Sequence, residues 1–558
     1  MRDLIVSILS AAIERARASG QLATAPNAPI SAETPKDPAH GDMASNVALT
    51  IARGEKKPPR AIAEIIRANL ELPGDVAEAN VAGAGFINFR MAPAFWHGEL
   101  RRAAREGDRF WRPQIGGGRK VQIEFLSANP TGPLTVGHGR NAVLGDTLAR
   151  MHEASGFAVT REYYFNNGGR QMKLLGESVR ARYLEALGRP ASLPEDGYQG
   201  EYIREIARDL VAHRGDTLAD VSDESKALEI FRAAAEEAIF ADIRNTCRNL
   251  HIRFDVFTNE LDLIRGGQVD SVIEGLRTRG LITEHEGAVW LRGEPLGLPK
   301  DLVLVRSGPS REPTYRTPDI AYHIEKLGRG FDLVIDVFGA DHIAEHQGVM
   351  AAIRALGYDV ARIRAIIYQF VTLTRGGEKV KMSTRKATYI TLDDLIDEVG
   401  PDVVRFFFLF RKHDSHLDFD LDLAKRQAPE NPVFYVQYAH ARLASVFREA
   451  EKKGIGLPAD PSATDLAPLS EEELALARKL LWLPEIVRGA VEALEPHRIP
   501  FYLLELAGDF HRYYNKPSNR IISEQRGLSM ARLFLARRLM EGVASGLELL
   551  GVGAPDRM

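Results

Sequence analysis

The sequence predicts an α/β fold: a Rossmann-type, doubly wound parallel sheet with a helical insertion, between an N-terminal α+β domain and a C-terminal all-α bundle. Three observations predict it. Short β-branched runs alternate with helical segments between about residues 116 and 400, which is typical of a parallel sheet. Gly116, Gly117 and Gly118 have the composition of a linker. From Asp402 onward the pattern is almost wholly helical. A chain of 558 residues exceeds a single core, so several domains are expected.

Residues 1–115 form the predicted α+β domain. The opening stretch MRDLIVSILSAAIERARASG has apolar residues at helical spacing, including Leu4, Ile8, Ala12 and Ile13. A second helix is predicted after Lys56–Arg60, and Gly85–Met91 has the pattern of a strand. Gly116, Gly117 and Gly118 separate these elements from the sheet domain that follows.

Residues 116–400 form the predicted sheet domain. Its strand-like runs are Val121–Leu126, Leu302–Val305, Leu333–Phe338 and Ala365–Phe370. A charged stretch from about 175 to 300, helical to about 280, interrupts these runs and is interpreted as an insertion between the halves of the sheet. Residues 401–558 form the helical domain, in which Ser470 and Glu473 make a capping box and Pro484 is expected to kink or end the helix.

Composition restricts the class of protein. The single Cys247 excludes an internal disulfide framework and a multi-cysteine zinc site, which fits a reducing cytoplasm. No apolar run suits a signal peptide or a membrane span. A net charge of −4 argues against a broadly basic surface but leaves local RNA-binding faces open. We therefore expect a soluble, cytoplasmic protein.

The segment TVGHGR at Thr135–Arg140 follows the predicted strand Val121–Leu126 and opens a helix. A helix N-terminus attracts phosphate. Gly137 and Gly139 would let the backbone approach a nucleotide, and His138 adds a hydrogen-bond donor. The alternative is an ordinary strand–turn–helix connection with a histidine in the turn.

The segment KMSTRK at Lys381–Lys386 places cations around a serine. Lys381, Ser383, Arg385 and Lys386 could stabilise the charge that develops on a pyrophosphate leaving group. The alternative is a solvated basic loop. Gln369, which precedes this segment, is a candidate adenine or substrate contact.

Together the two segments resemble the signature motifs of class I aminoacyl-tRNA synthetases, and the flanking sequence narrows the resemblance to arginyl-tRNA synthetases over nearly the whole chain. Two positions depart from the family pattern. Thr135 replaces the first histidine of H-x-G-H, and Thr384 replaces the second lysine of K-M-S-K. The resemblance implies that His138 donates to the ATP phosphates, and that Arg385 or Lys386 supplies the displaced charge.

The resemblance also implies an amino-acid pocket. A planar guanidinium calls for carboxylates and neutral acceptors. Glu124 and Asn129 match the family's first segment, whereas Tyr315 and Asp319 match its Y-x-T-x-D segment, and Asp341 and His342 are expected to complete the pocket floor. Glu124 would be half buried within its strand and would need a partner. Tyr163–Gln171 resembles a further family segment in which Asn167 replaces an aspartate.

Two regions are candidates for RNA contact. Aromatic residues interleaved with cations are how proteins bind unpaired bases, and the resemblance implies that the C-terminal domain binds the anticodon and the N-terminal domain the tRNA elbow. The alternative is a helical core with a solvated basic edge. The candidate tRNA-binding residues are Tyr435, Tyr438, Arg442, Tyr513, Asn46 and Phe86.

The resemblance implies an arginine–tRNA ligase. It would use ATP as MgATP, without bound zinc, to form arginyl-adenylate from L-arginine and pass it to tRNA(Arg), and tRNA would be needed for the first step. A monomer is expected. Cysteine and glutamine synthetases are disfavoured by the missing zinc cysteines and by the Glu124, Asn129, Tyr315 and Asp319 set. A catalytically weak or silent RNA-binding paralogue remains the alternative, because Thr135 and Thr384 permit it.

Overall fold

The computed structural model describes residues 1–33, 35, 37, 40–221, 223–308, 311–380 and 390–558. The chain divides into two compact units. The first consists of Met1–Phe110, Val446–Leu481 and Tyr513–Leu539, and the second of Trp111–Ser445, Trp482–Arg512 and Met540–Met558. The predicted three-domain boundaries therefore stay a prediction, since the C-terminal helices contribute to both units.

The N-terminal part of the first unit is the predicted α+β structure. Its elements are α1 (Arg2–Ala18), β1 (Met43–Ser45), α2 (Val47–Glu55), α3 (Pro59–Ala68), β2 (Val76–Ala82), β3 (Phe86–Met91), α4 (Pro93–Glu106) and α5 (Asp108–Trp111). The strands form an antiparallel sheet in the order β1-β3-β2. The apolar face predicted for α1 is buried, with Leu9 and Ala12 fully excluded from solvent.

The second unit contains the central sheet. Its elements up to residue 424 are β4 (Lys120–Glu124), α6 (Val136–Ala154), β5 (Ala158–Phe165), α7 (Gly169–Ala186), α8 (Glu201–Arg214), α9 (Glu224–Asn249), β6 (Val256–Asn259), α10 (Glu260–Arg265), α11 (Gln268–Thr278), β7 (Ile282–His285), β8 (Ala288–Leu291), β9 (Leu302–Val305), α12 (Arg316–Gly328), β10 (Leu333–Gly339), α13 (Ile343–Ala355), β11 (Ile363–Tyr368), β12 (Val371–Arg375), β13 (Glu378–Lys379), α14 (Leu392–Val399), α15 (Pro401–Leu409), β14 (Leu417–Asp420) and α16 (Leu421–Ala424).

The central sheet is parallel, as predicted. Five strands run in the order β11-β10-β4-β5-β6, and each neighbouring pair is parallel. The first strand in the chain, β4, lies in the middle, and later strands are added on either side of it. The order therefore reverses between β4 and β10, which is the doubly wound arrangement.

The predicted insertion is helical over only part of its length. The helices α7, α8 and α9 follow one another, and α9 ends at Asn249. The chain then forms β6, which pairs with β5 in the parallel sheet. The run Leu302–Val305 belongs to a separate antiparallel sheet, β7-β8-β9. The four-residue strands β6, β7 and β8 carry too little periodicity for the sequence to reveal them, although Leu302–Val305 is recognisable as a strand.

The C-terminal helices are α17 (Pro432–Lys452), α18 (Glu471–Leu481), α19 (Leu483–Ala493), α20 (Arg498–Tyr514) and α21 (Arg526–Leu550). The capping box is confirmed, because the Ser470 N–H donates to Glu473 Oε2 at 2.6 Å and the Glu473 N–H donates to Ser470 Oγ at 3.4 Å. Pro484 lies in the first turn of α19, directly after α18 ends, as predicted. Among the described helices, none combines the length and apolar character that crossing a bilayer requires.

Candidate active site

The candidate site lies in the second unit, where the order of the parallel strands reverses. In doubly wound sheets, ligands bind beyond the carboxyl ends of the strands at this point. Glu124 ends β4 and lies in register with Asp336 of β10. The sheet thus brings two carboxylates side by side at the edge where a ligand is expected.

Five charged side chains form a continuous series of ion pairs at this edge, which we name the charge chain. In order they are Asp319, His323, Asp336, Lys326 and Glu124. His323 Nδ1 lies 3.0 Å from Asp319 Oδ1, and its Nε2 lies 3.0 Å from Asp336 Oδ2. Lys326 Nζ donates to Asp336 Oδ1 at 2.7 Å and also to Glu124 Oε2. The sign of the charge alternates along the whole series when His323 is protonated.

The pKa values support two cations in this series. Burial and Lys326 lower the pKa of His323, but Asp319 and Asp336 outweigh them and raise it to about 10. Burial likewise lowers the pKa of Lys326, yet Asp336 and Glu124 hold it above its usual range. Burial and the neighbouring Asp336 raise the pKa of Glu124, and Lys326 opposes them only in part.

The two ends of the charge chain are its exposed part. The Lys326 side chain is 0% exposed and that of His323 5%, whereas those of Glu124 and Asp319 are 16% and 38% exposed. A ligand can therefore reach the terminal carboxylates but not the cations behind them. The prediction that Glu124 needs a partner is confirmed, and the partner is Lys326.

A strained turn follows Glu124. Leu126 and Ser127 both have positive φ, 70° and 44°, which is unfavourable for residues with a side chain. The Leu126 N–H donates to Asn141 Oδ1 at 2.7 Å, and Ser127 Oγ donates to Glu124 Oε1 at 2.9 Å. The turn therefore holds the second oxygen of Glu124 and redirects the backbone toward Asn129.

Asn129 is exposed beyond this turn, and its Oδ1 accepts from the Asn166 N–H at 3.0 Å. Nearby, the Asn167 side-chain amide donates to Glu236 Oε1 at 2.7 Å. An aspartate at position 167 would bring two carboxylates together. Glu236 thus gives a physical reason for the asparagine that departs from the family pattern.

Thr135 and His138 cap α6 reciprocally. The His138 N–H donates to Thr135 Oγ1 at 3.5 Å, and the Thr135 N–H donates to His138 Nδ1 at 3.2 Å. Burial lowers the pKa of His138, so the ring is neutral at pH 7. Because Nδ1 accepts a hydrogen bond, the ring proton lies on Nε2, which remains a donor.

The two glycines of this segment serve different purposes. A Cβ at Gly137 would meet only Thr135 Oγ1, at 3.8 Å, so its position is open to a ligand. A Cβ at Gly139 would lie 2.5 Å from Leu392 Cδ1 and 2.9 Å from Phe408 Cε2. Gly139 is therefore required where α6 packs against α14 and α15, which accounts for this glycine without the nucleotide contact expected from the sequence.

Sequence reasoning missed Arg140, which is fully buried. Its Nη1 donates to the carbonyl oxygens of Gln369 at 2.6 Å and Ser415 at 3.0 Å, and its Nη2 to that of Lys412 at 3.1 Å. Burial lowers the pKa of Arg140 to about 10. The candidate ATP contact Gln369 is thus tied through its backbone to the helix that carries the first motif.

The second motif cannot be placed in the same way. The predicted Lys381, Ser383, Arg385 and Lys386, together with Thr384, lie outside the described residues. Shortly after the second motif, the Leu392 N–H donates to the Leu134 carbonyl oxygen at 2.8 Å. The chain that follows the second motif therefore returns to the start of α6.

Tyr315 and His342 share a partner. A hydrogen bond to Glu345 raises the pKa of Tyr315, and His342 Nδ1 lies 3.4 Å from Glu345 Oε2. Tyr315 directly precedes α12 and Asp319 lies in its first turn, so the predicted helical spacing of the two is confirmed. Asp341 and His342 are exposed, and their place in the pocket floor stays a prediction.

The candidate RNA-contact residues of the second unit form one cluster. His511 stacks on Tyr438 with ring centroids 5.6 Å apart, and its ring is 4.5 Å from that of Tyr435. Arg442 lies over the Tyr438 ring at 4.6 Å and contacts His511 Nδ1 at 3.2 Å. All three predicted residues are half-buried, and His511 is a member that sequence reasoning missed.

The remaining RNA candidates lie in the first unit. Tyr513 is only 5% exposed, and its hydroxyl donates to Glu473 Oε1 at 2.7 Å. Tyr513 is therefore a core residue and offers no face for a base. Phe86 is 42% exposed at the start of β3, and Asn46 Oδ1 accepts from Ser31 Oγ at 3.1 Å at the start of α2.

In the part of the chain that the structure describes, no group of three or more histidine, cysteine, aspartate or glutamate side chains is placed to hold a metal ion. Cys247 is buried, and burial raises its pKa to about 12, so its thiol is a packing group.

Three family models match the chain in succession. They are the arginyl tRNA synthetase N terminal domain at residues 3–91, the catalytic domain of tRNA synthetases class I (R) at 103–405, and the DALR anticodon binding domain at 436–558. The arginine–tRNA ligase of Desulfotalea psychrophila is 50% identical over 94% of each chain, and that of Salinibacter ruber is 47% identical over 95% of this chain and 96% of its own.

Two solved structures have folds similar to that of this chain. A putative arginyl-tRNA synthetase from Campylobacter jejuni has a TM-score of 0.76 at 31% identity, covering 84% of this chain and 100% of its own. The arginyl-tRNA synthetase of Thermus thermophilus, at 24% identity, shares the fold with a TM-score of 0.76 over 100% of both chains.

The doubly wound parallel sheet is that of a class I aminoacyl-tRNA synthetase, and it carries a capped helix and two neighbouring acids where its strand order reverses. Within that class, the matches over nearly the full length decide the member. The chain belongs to the arginyl-tRNA synthetase family.

Proposed function

We propose that this chain is an arginine–tRNA ligase. In the first step an arginine carboxylate oxygen attacks the α-phosphorus of ATP, the bond to the β-phosphate breaks, and pyrophosphate leaves. In the second step the terminal ribose 2′-hydroxyl of tRNA(Arg) attacks the carbonyl carbon of arginyl-adenylate and AMP leaves. The observation that carries the proposal is the partial exposure of the Glu124 and Asp319 side chains at the strand reversal, in a chain of this family.

Arginine would be read by the exposed ends of the charge chain. A guanidinium presents donors in a planar fork, which carboxylates accept in pairs. Glu124 and Asp319 are suited to this, Tyr315 offers an aromatic surface, and Asn129 is an acceptor for the α-amino group. Asp341 and His342 lie exposed beyond β10, where they could contact the rest of the amino acid. Lysine, which is shorter and not planar, would leave these acceptors unpaired.

ATP would be held at the N-terminus of α6. The Nε2–H of His138 is a neutral donor for a phosphate oxygen, and Gly137 leaves room beside it. Thr135 contributes by orienting His138. Gln369 is a candidate contact of the adenine. Lys381, Ser383, Arg385 and Lys386 would supply positive charge and donors to the leaving pyrophosphate, as the family resemblance implies.

The RNA would be bound by both ends of the chain. The cluster of Tyr435, Tyr438, Arg442 and His511 combines aromatic faces with a cation, which suits unpaired anticodon bases. Residues 401–558 would form the anticodon-binding domain and residues 116–400 the catalytic domain. Residues 1–115 would contact another part of the tRNA, with Phe86 and Asn46 as candidates.

Other properties follow from the same proposal. Magnesium would enter with the substrate as MgATP and leave with pyrophosphate, and we propose no resident zinc. We propose a monomer that acts in the cytoplasm. The alternative, a weak or silent RNA-binding paralogue, is disfavoured because such a relative has no chemical need to keep His138, Lys381, Ser383 and the arginine pocket together.

The test is aminoacylation of unfractionated tRNA with each radiolabelled amino acid and ATP, using the full chain. Arginine is expected to be incorporated in preference to the other amino acids. Absence of arginine incorporation, or better incorporation of a different amino acid, would overturn the proposal. Incorporation with an unusually low turnover number would favour the weak paralogue.

A further inference from the structure

Two buried cations join the two acids that face the substrate. Asp319 and Glu124 are 195 positions apart in the numbering, yet His323, Asp336 and Lys326 connect them through ion pairs without a break. Three of these residues lie on one face of α12, at spacings of four and seven residues from Asp319. The other two are register partners on β4 and β10.

The cations act only through the carboxylates. Lys326 is fully buried, and its three donors are directed to Glu124, to Asp336 and to the ring of Tyr322, whose centroid is 4.1 Å from Nζ. Both nitrogens of His323 are engaged as well, by Asp319 and Asp336. Neither side chain has a donor left for a ligand.

The charges do not balance. Three carboxylates, Glu124, Asp336 and Asp319, face two cations, Lys326 and His323, so the ionised charge chain carries one negative charge in excess. Burial is the main cause that raises the pKa of Glu124, and the neighbouring Asp336 adds to it. One guanidinium between the exposed ends would supply the missing charge.

We propose that Lys326 and His323 are positioning residues for arginine. They fix the Glu124 and Asp319 side chains in place, and they limit the excess negative charge of the charge chain to one, which a single guanidinium neutralises. This proposal rests on the proposed function. Stability alone does not account for the arrangement, because a buried ion pair contributes little net stability compared with apolar side chains of similar size.

The first variant to test is Lys326→Met, which keeps the side-chain length and removes the charge. In aminoacylation with unfractionated tRNA, the arginine KM is expected to rise about tenfold or more, with the ATP KM changed by less than about twofold. A purely structural role would instead change both substrates together or lower the amount of folded protein. An arginine KM within about twofold of wild type would overturn the proposal.

The matched control is Arg329→Met. Arg329 follows α12, and its Nη1 lies 2.8 Å from Glu162, a carboxylate as buried as Asp336. Its loss removes the cation that pairs directly with Glu162, a buried acid outside the charge chain that Lys326 influences only at longer range. The control is expected to lose stability without an arginine-specific change in KM. Equal arginine KM increases in Arg329→Met and Lys326→Met would overturn the proposal.

Two further variants decide the question if Lys326→Met does not fold. His323→Asn keeps a donor near Asp319 and removes the link to Asp336, so the arginine KM should rise without a matching rise for ATP. The double variant Lys326→Met with Asp336→Asn removes one charge of each sign, so the charge chain again carries one negative charge in excess. Its arginine KM should therefore be lower than that of Lys326→Met. An unchanged KM in His323→Asn, or no gain in a soluble double variant, would overturn the proposal.

Direct binding separates this inference from the proposed function. Isothermal titration of L-arginine into wild type and His323→Asn is expected to show weaker binding in the variant. If wild type charges arginine but the variants bind and use it normally, only the positioning role fails. If wild type neither binds nor charges arginine, both proposals fail.

Discussion

Thr135 and His138 cap the N-terminus of α6 reciprocally, with the backbone N–H of each residue donating to the side chain of the other. The threonine that departs from the family pattern therefore has a structural function, which is to fix the tautomer and orientation of the histidine. Phosphate binding at this helix N-terminus does not depend on the motif's first histidine alone, because His138, the second histidine, is held as a donor.

Replacing this cap should affect stability and rate together. Thr135→Ala is expected to lower the free energy of unfolding by about 1 kcal/mol, since an N-cap acceptor is lost. It should also slow arginine activation, measured as tRNA-dependent ATP–pyrophosphate exchange. Thr135→Ser, which retains the acceptor, is the control. Because Thr135→His loses the cap, it should not exceed the wild-type rate, and a faster Thr135→His enzyme would contradict this role.

Removing one exposed acid should impair arginine use specifically. Asp319→Asn keeps the size of the side chain but loses a charged acceptor for the guanidinium, so the arginine KM should rise about tenfold or more, with little change for ATP. Glu325→Gln is the control, since Glu325 lies on the same helix and pairs with Arg329 at 3.1 Å. Steady-state aminoacylation measures both. Equal effects of the two variants would exclude a specific role of Asp319.

The raised pKa of His323 predicts a loss of stability in alkaline solution. Its pKa is about 10 in the fold and 6.5 in the unfolded chain, so its contribution is fully present below pH 6.5 and is lost as the pH rises toward 10. Urea denaturation at pH 7 and pH 9 should therefore show a larger fall in unfolding free energy for wild type than for His323→Asn. A fall of the same size in the unfolding free energy of both proteins would refute the raised pKa of His323.

Two of the three tyrosines assigned to RNA contact from the sequence should now behave differently. Tyr438→Ala removes a half-buried ring from the His511 and Arg442 cluster and is expected to raise the KM for tRNA. Tyr513→Phe removes only a buried hydrogen bond to Glu473, at a cost of about 1 kcal/mol in unfolding free energy, and should leave the tRNA KM unchanged. A tRNA defect in Tyr513→Phe with normal stability would reverse this assignment.

The amide of Asn167 should be required because of Glu236. Asn167→Asp would place two carboxylates where the amide now donates at 2.7 Å, and we expect a loss of about 1 kcal/mol or more of stability. Adding Glu236→Gln should restore most of the lost stability, which thermal denaturation of the single and double variants would measure. If the second substitution gives no recovery, the departure from the family pattern has another cause.

Local pattern was sufficient for much of this protein. The pattern of apolar residues located the N-terminal helix and three of the five parallel strands, β4, β10 and β11. The Ser470–Glu473 cap and Pro484 located helix ends, because such signals act over a few residues. The motifs identified the family. Glu124 could be recognised as an acid that needs a partner, since a carboxylate within an apolar strand is costly to bury unless a cation or a donor meets it.

Tertiary structure decided the partners. A lysine on a helix is usually exposed, and nothing near Lys326 in sequence indicates that it lies between Asp336 and Glu124, the latter 202 residues away. The burial of Arg140 and Tyr513 and the packing at Gly139 depend in the same way on elements distant in the chain. Burial and ion pairing are set by which surfaces meet, whereas sequence periodicity reports only which surface of each element is apolar.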